Sequence, residues 1–280
     1  MSDLKIGGCV VLYNPNTQVL KNIETYRSKL DLLVVVDNSD KPVNFVLDKL
    51  AMLSNIKIIP MHGNQGIAKA LNEGCTYLVN NGFDVCLTMD SDSKFPFEDY
   101  EKIISIIIPM LKNGYGLVGL NFNHFPLHKS SDIVKPKCWL TSGNFLNLLA
   151  YKVVSGFRNN LFIDYVDFEF DHSLIKNGYK IAYLKDYSIK HKIGNPIRKK
   201  VGNRIVTSMN HPPIRYYYRY RNSRYLYKTD KKYYGINYWK EIFFNIPKMI
   251  LWEKNRKAKI KMIIRGFKDA EKGRLGKYNR

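Results

Sequence analysis

Two hydrophobic periods alternate along the first 120 residues. KIGGCVVLY (5–13), LLVVVDN (32–38), NIKIIP (55–60) and FDVCLTMD (83–90) are β-branched or apolar throughout. That is the pattern of strands buried on both faces, as in a parallel sheet. The stretches 17–30, 42–53, 64–81 and 97–112 have helical spacing instead. In the third, Ile67, Ala70, Leu71, Cys75 and Leu78 form one stripe that stops near Gly82. Such alternation predicts an open doubly wound α/β sheet, in which ligands sit at the carboxyl ends of the strands. The second half is more mixed. CWLTSGNFLNLLAYKVV reads as a strand and a short helix, FIDYVDFEFDHSLIKNG as a loop leading into a helix that stops at Gly178, and YKIAYL and YSIKHKIG as two short strands. After Pro196 three amphipathic helices are expected, near 210–228, 236–253 and 256–271.

The polar residues that interrupt this pattern fall at strand ends. Tyr13-Asn14-Pro15, Asp37-Asn38-Ser39 and Asp90-Ser91-Asp92 each follow an apolar run, and in a parallel sheet all three open on the same edge. A core does not explain polar groups converging there, whereas a ligand crevice does. The aspartate pair is the most pointed of them. Residues i and i+2 of an extended chain face the same side, so Asp90 and Asp92 can approach one hard divalent cation together; a solvated acidic turn is the plainer alternative. Two further elements stand out: Asp167 with Glu169 in DYVDFEF, at a helix start where acids also favour the helix dipole, and His191 in YSIKHKIG, at a strand end.

Taken in order, these pieces resemble glycosyltransferase family 2 with the GT-A fold, in particular bacterial rhamnosyltransferase-like and galactofuranosyltransferase-like members. The matching segments are VVLYNP, VVVDNS, the series Asn64-x-Gly66-x-Ala68-x-Ala70-x-Asn72, MDSDS, TSGN, LFIDYVDFEF, NGYKI and IKH, all before about residue 195. The resemblance implies a nucleotide-diphospho-sugar transferase with a mostly parallel sheet, an inverting reaction and a Mn²⁺ or Mg²⁺ cofactor. It implies Asp92 and His191 as metal ligands, with Asp90 supporting the metal or the ribose. Tyr13, Asn14, Asp37 and Asn38 then form the base and ribose pocket, with Asn64 and Gly66 at its floor. Asp167 matches the family's catalytic base, and Glu169 with Gly143-Asn144 is expected to orient the acceptor. Two positions depart from the family: Val166 where a second carboxylate is common, and Leu71 where many members carry Arg or Gln. The implied partners are a nucleotide-sugar donor, with dTDP-L-rhamnose leading and UDP-hexose or UDP-galactofuranose as alternatives, and a glycan acceptor carried on a polyprenyl diphosphate.

Charge separates the chain into two parts. Residues 1–195 hold 21 Lys and Arg against 19 Asp and Glu, whereas residues 196–280 hold 24 against 5, so nearly all of the formal +21 lies in the last part. The expected organisation is therefore a catalytic domain over 1–195 and a basic helical extension over 196–280. In the extension, Arg215 to Tyr238 interleaves basic residues with nine tyrosines. Basic amphipathic helices with Trp and Phe suit an anionic membrane surface, hence a peripheral enzyme at the inner face of the plasma membrane. Packing on the body, a homo-oligomer interface and a nucleic-acid binding module are the other readings; the last finds no known DNA or RNA motif in the sequence. The aspartate pair also occurs in haloacid dehalogenase-type hydrolases, but there it ends the first strand, and here it ends the fourth. Cys9, Cys75, Cys86 and Cys138 are scattered without metal-ligand spacing and fit buried, reduced thiols of a cytosolic protein. MSDLKIGG has no signal-peptide pattern, and the apolar run near Ile103–Leu111 is too short to span a bilayer.

Overall fold

The computed structural model describes residues 4–122, 133–191, 196–202 and 204–279. The chain gathers into two compact units, Met1–Asn159 with Asp167–Lys192, and Asn160–Val166 with Ile193–Arg280. The expected boundary at 195 falls within 192–195, outside the described residues.

The first unit is built on a mixed sheet of nine strands: β1 (Ile6–Leu12), β2 (Leu32–Asp37), β3 (Ile56–Pro60), β4 (Val85–Asp90), β5 (Ser93–Lys94), β6 (Tyr115–Phe122), β7 (Ile133–Val134), β8 (Asn144–Asn147) and β9 (Lys180–His191). Their order is β3-β2-β1-β4-β8-β6-β9-β5, with β7 also on β9. The six long strands β3, β2, β1, β4, β6 and β9 run in one direction, and β8 is reversed between β4 and β6. Helices α1 (Gln18–Ile23), α2 (Asn44–Ala51), α3 (Ile67–Asn80), α4 (Tyr100–Lys112), α5 (Leu148–Val153) and α6 (Val166–Lys176) connect them. This is the doubly wound, mostly parallel sheet the alternation predicts. Its central strands are apolar on both faces because both are covered: Cys9, Val10, Val34, Val35, Val36 and Leu87 have no accessible surface. α3 packs on β1 and β2, and Gly74 sets how close it comes, since any Cβ there would collide with Cys9 Sγ.

Two expectations need correction, and one strand falls where none was expected. YGLVGLNF forms the central strand β6, although its glycines and asparagine dilute the strand signal. Gly119 is required there because a Cβ would strike Asn144 Oδ1 and the Trp139 ring. YKIAYL and YSIKH are one 12-residue strand, β9, rather than two. Its register on β6 jumps from Leu120↔Leu184 to Asn121↔Ser188, so Lys185–Tyr187 bulge out, and the Asn121 amide donates to Lys185 O at 3.1 Å to patch the gap. The helix expected over 17–30 ends at Ile23, and Arg27–Lys29 form a 3-10 turn.

The second unit holds a hairpin, β10 (Ile197–Val201) with β11 (Arg204–Ser208), and helices α7 (Pro213–Thr229), α8 (Lys231–Lys240), α9 (Ile246–Trp252) and α10 (Arg256–Glu271). A π-helical turn, Glu241–Asn245, joins α8 to α9, so the helix expected over 236–253 is two helices with a bulge between them. The tyrosines of α7 are core residues: Tyr216 and Tyr220 pack with Met249 and Ile263, while Tyr217 and Tyr218 pack with Phe162. Arg221 is fully buried, and its guanidinium donates to the carbonyls of Gly276 at 2.6 Å and Leu161 at 2.8 Å. Among the described residues, no helix is long and apolar enough to cross a membrane.

A buried ion pair ties this unit together. Glu253 and Lys259, both buried, meet at 2.6 Å, and Glu253 also accepts from Tyr216 Oη at 2.5 Å, from Ser208 Oγ and from Asn210 N at 3.0 Å. Burial alone would raise the Glu253 carboxyl, but these donors, Lys259 foremost, hold it below its ordinary value. Lys259→Met should therefore leave a poorly compensated buried carboxylate and cost about 3 kcal/mol, read as a lowered unfolding midpoint of this unit in urea. Because the folded carboxyl is depressed, its stabilisation is present above the unfolded pKa and is lost as pH falls through the folded one. The stability difference between wild type and Glu253→Gln should accordingly narrow on acidification below the usual glutamate range.

Candidate active site

The parallel register places three strand ends side by side. Leu12 is level with Asp37 and Val11 with Asp90, while Asp37 is level with Pro60 at the end of β3. Tyr13, Asn14, Asp37, Asn38, Asp90 and Asp92 therefore gather on one edge, as the sequence pattern requires. The loops there are fastened to one another. The Asn14 N–H, at a positive φ of 45°, donates to Ser39 Oγ at 2.8 Å, and the Tyr13 hydroxyl to Asp40 Oδ2 at 3.0 Å. Asp37 Oδ1 accepts from Ser39 N at 3.2 Å. Asn38 spans to the start of α3, accepting from Gln65 N at 2.8 Å and donating to Asn64 Oδ1 at 3.3 Å. Asn64 Oδ1 in turn accepts from the N–H of Gly66, whose φ of 91° favours glycine. Asp37 and Asn38 are buried and shape the floor of this edge, whereas Tyr13 is exposed.

The cluster at its centre is Asp90, Asp92 and His191, whose ligand atoms all lie within 4.8 Å of one another. Strand β5 makes this possible: it pairs antiparallel with the end of β9 and sets Ser93 opposite His191. His191 Nδ1 is 3.2 Å from Asp92 Oδ1, 4.0 Å from Asp90 Oδ2 and 2.9 Å from Ser93 Oγ. Ser142 Oγ accepts from Asp90 N at 3.0 Å and donates to Ser93 Oγ at 3.0 Å, so the backbone of one carboxylate and the imidazole are braced through two serines. The Phe122 and His191 rings meet nearly perpendicular, with centroids 5.8 Å apart. The hydrogen bond with Asp92 raises the imidazole pKa, burial opposes it, and the charges of Asp92 and Asp90 add to the rise. Crowding by protein pushes the Asp90 carboxyl up to about 6, with His191 pulling it back and Asp92 adding to the rise. Even so, 44% of the Asp90 side chain and 51% of Asp92 remain accessible. Two carboxylates and an imidazole held this close, and open on one side, fit a hard or borderline divalent cation with positions left for ligand oxygens.

A cleft of about 550 Å³ adjoins the cluster, lined by Tyr13, Asn14, Asn22, Asp92, Lys190 and His191. Asn22, in α1, donates its amide to Ser91 O at 2.8 Å and so holds the turn between the two aspartates. A second cleft, of about 320 Å³, lies at the opposite strand ends between Leu4, Val85 and Asn147. Among the described residues it gathers no metal-ligating group.

The remaining candidates lie on the other side of the Thr141–Asn144 turn. Gly143, at a φ of 74°, donates its N–H to Thr88 O at 2.7 Å, and a Cβ would press on Ile189. Asn144 is buried, donating to Leu140 O at 2.6 Å, and its Oδ1 has no hydrogen-bond partner among the described residues. Asp167 lines a small internal cavity with Thr88, Thr141, Asn144 and Asp171. Glu169 is buried against Arg158 at 3.3 Å, and burial raises its carboxyl while Arg158 and Ser173 oppose the rise. Neither Glu169 nor Asn144 lines the cleft beside the Asp90–Asp92–His191 cluster; both side chains are buried.

Several residues of the site carry no motif of their own. Ser93 and Ser142 matter only through the β5–β9 pairing, although both lie inside the segments MDSDS and TSGN. Lys94 and Lys190, level across β5 and β9, put two cations beside the cleft. Asp171 follows Asp167 by one helical turn and accepts from Trp139 N at 2.5 Å, and burial pushes its carboxyl well up, the Trp139 amide opposing and Asp167 adding.

Comparison with known proteins agrees with this geometry. Residues 9–138 match the model of glycosyl transferase family 2. The chain is 29% identical over 237 residues to a dTDP-rhamnosyl transferase, RfbF, of Shigella flexneri, an alignment covering 76% of this chain and 77% of that protein. Among solved structures it is similar to S. aureus TarS residues 1–349 in complex with UDP-GlcNAc, with a TM-score of 0.63, 15% identity, and 95% and 81% of the two chains covered. It is also similar to GalNAc-T7 with UDP, GalNAc and Mn²⁺, with a TM-score of 0.62 and 11% identity over 96% of this chain. It spans 56% of the GalNAc-T7 chain and 49% of a longer TarS structure. The fold is thus that of GT-A glycosyltransferases, and the part of the chain that carries Asp90 and Asp92 is the part that matches glycosyl transferase family 2.

Proposed function

We propose that the protein is an inverting, divalent-cation-dependent hexosyltransferase of cell-surface polysaccharide synthesis. Its leading donor is dTDP-L-rhamnose, with UDP-hexose or UDP-galactofuranose as the alternative. Its acceptor is a lipid-linked glycan, met at the inner face of an anionic membrane. The observation that carries the reading is the Asp90–Asp92–His191 cluster, open to a cleft whose other wall is the polar turn after β1. The rhamnosyl donor is supported by the name of the Shigella relative, and a cation by the donor chemistry of the cluster.

Asp92 and His191 would hold Mn²⁺ or Mg²⁺ with Asp90 in support. The ion, when bound, supplies Lewis-acid neutralisation of the leaving diphosphate. Everything else falls to the chain. Tyr13, Asn14, Asp37 and Asn38 form the base and ribose pocket, and Asn64 with Gly66 fixes its floor. Lys94 and Lys190 add positive charge beside the departing diphosphate. Asp167 takes the proton from the acceptor hydroxyl as its oxygen bonds to the anomeric carbon and the bond from that carbon to the phosphate oxygen breaks. That single displacement inverts the anomeric centre, and the nucleoside diphosphate leaves with the bonding pair. The Asp171 carboxyl one turn on is pushed well up by burial, with the Trp139 amide opposing and the charge of Asp167 adding to the rise. Glu169 and the Gly143-Asn144 turn support the acceptor side by holding that wall in place.

Turnover of a panel of dTDP-, UDP- and GDP-sugars with Mn²⁺ and with EDTA tests the reading. One sugar nucleotide should be hydrolysed slowly, or transferred, with the cation and not with EDTA; no turnover of any donor, or equal turnover in EDTA, contradicts it. Asp167→Asn should retain nucleotide binding and lose transfer by on the order of 10²-fold or more, measured as kcat with the identified donor. Near-normal kcat would remove Asp167 from the role of base.

A further inference from the structure

The large apolar and aromatic residues of the helical unit include two contrasting sets. Tyr216, Tyr217, Tyr218, Tyr220, Tyr234 and Tyr238 are buried and form its cores. Ile236, Trp239, Phe243 and Phe244 do the opposite: they are 76%, 45%, 64% and 66% exposed. These four lie along α8 and the π-helical turn, where they line an open groove of about 700 Å³, and the Trp239 and Phe243 rings stack at 5.5 Å. The π-helical turn widens the backbone spiral by one residue, which lets Phe243 and Phe244 share the groove. A contiguous set of large apolar side chains this open is unusual on a folded domain and marks a docking surface.

The charge around the groove decides what docks. Lys231, Lys232 and Lys240 form its polar rim. Over residues 231–252 the sequence has four lysines and one acid, Glu241. That acid is withdrawn from the surface: it is buried and accepts from Arg219 at 2.6 and 2.9 Å. The exposed face thus carries aromatic and aliphatic groups framed by cations alone. Two copies meeting through it would set lysine against lysine, and a nucleic acid would leave Ile236 and the paired phenylalanines without a polar or stacking partner. An interface that is apolar just below an anionic layer satisfies both components at once.

We infer that Ile236, Trp239, Phe243 and Phe244 insert among the acyl chains of an anionic lipid bilayer while Lys231, Lys232 and Lys240 rest on its headgroups. The inference rests on the reading of the enzyme as one that meets a lipid-linked acceptor, and it assigns that membrane contact to one segment of the chain. Each lysine at such a surface strengthens binding about fivefold. The tyrosine-rich α7, which carries the densest run of basic and aromatic residues in the sequence, is set aside because Tyr216, Tyr217, Tyr218 and Tyr220 are buried and its other two tyrosines are half-buried.

The test is co-sedimentation of the full chain with sucrose-loaded vesicles, either 7:3 phosphatidylcholine:phosphatidylglycerol or phosphatidylcholine alone, alongside turnover of the identified donor in solution. The wild type should bind the anionic vesicles at least tenfold better than the neutral ones. Phe243→Ser with Phe244→Ser should lower that affinity by on the order of 100-fold with donor hydrolysis unchanged. Lys231→Glu with Lys232→Glu should remove the preference for anionic lipid. Brominated acyl chains should quench tryptophan fluorescence in the wild type and quench it markedly less in Trp239→Phe. Undiminished vesicle binding by the Phe243/Phe244 variant overturns the assignment. So does a vesicle-free dimer that the same variant converts to monomer, which gives the face to a second copy, or an oligonucleotide that binds the wild type and not the variant. Vesicle binding lost with the variant while no sugar nucleotide is turned over would keep the surface and reject the transferase reading instead.

Discussion

The site depends on the pairing of two residues, Ser93 and Lys94, with the end of β9. This contact joins Ser93 to His191, 98 residues further along the chain, and so brings the imidazole beside the aspartates. Without it, Asp90 and Asp92 are an acidic turn at the end of a buried strand, the plainer reading of their sequence. With it, an imidazole and two carboxylates converge on one opening, and Ser142 and Ser93 brace both components with hydrogen bonds of 3.0 Å. The brace involves β4, β5, the 141–144 turn and β9, so the cluster is held by four parts of one sheet rather than by a flexible loop. A cation site assembled in this way needs little rearrangement on binding.

The parallel half of the fold was legible because its signal is local. Uninterrupted runs such as LLVVVD have few alternatives to a strand buried on both faces, and polar residues after three such strands must share an edge once the strands are parallel. The middle of the sheet was not legible in the same way. β6 contains Gly116, Gly119 and Asn121, each present for what it touches: Gly119 leaves room for Asn144 and Trp139, and Asn121 repairs the bulge in β9. Those reasons exist only after distant segments meet. The inward direction of Asn144 and Glu169 was hidden for the same cause, since a family pattern states which residue stands at a position and not which way it faces. Ser93 and Ser142 were visible as letters inside motifs; their joint task appears only with the β5–β9 register.

The basic region illustrates how composition misleads when it is read without burial. Its positive charge and tyrosines are densest along α7, yet α7 is the inner helix of its unit. Arg221 binds carbonyls there, Arg215 pairs with Asp164 and Arg219 with Glu241. The cations left to act outward lie mainly on other elements. Segregating buried tyrosines from exposed Trp, Phe and Ile separates residues that form the cores of the unit from residues that leave much of their apolar surface open, a distinction that neither net charge nor aromatic content can draw.

The central claim is that Asp90, Asp92 and His191 form a cation site for a nucleotide diphosphate. Its most direct test is an anomalous difference map from crystals soaked in Mn²⁺ with dTDP. A peak within coordination distance of Asp92 and His191, bridged to the diphosphate, is the predicted result. Nucleotide bound on this edge with no peak at the cluster, or a peak elsewhere in the protein, would contradict the account.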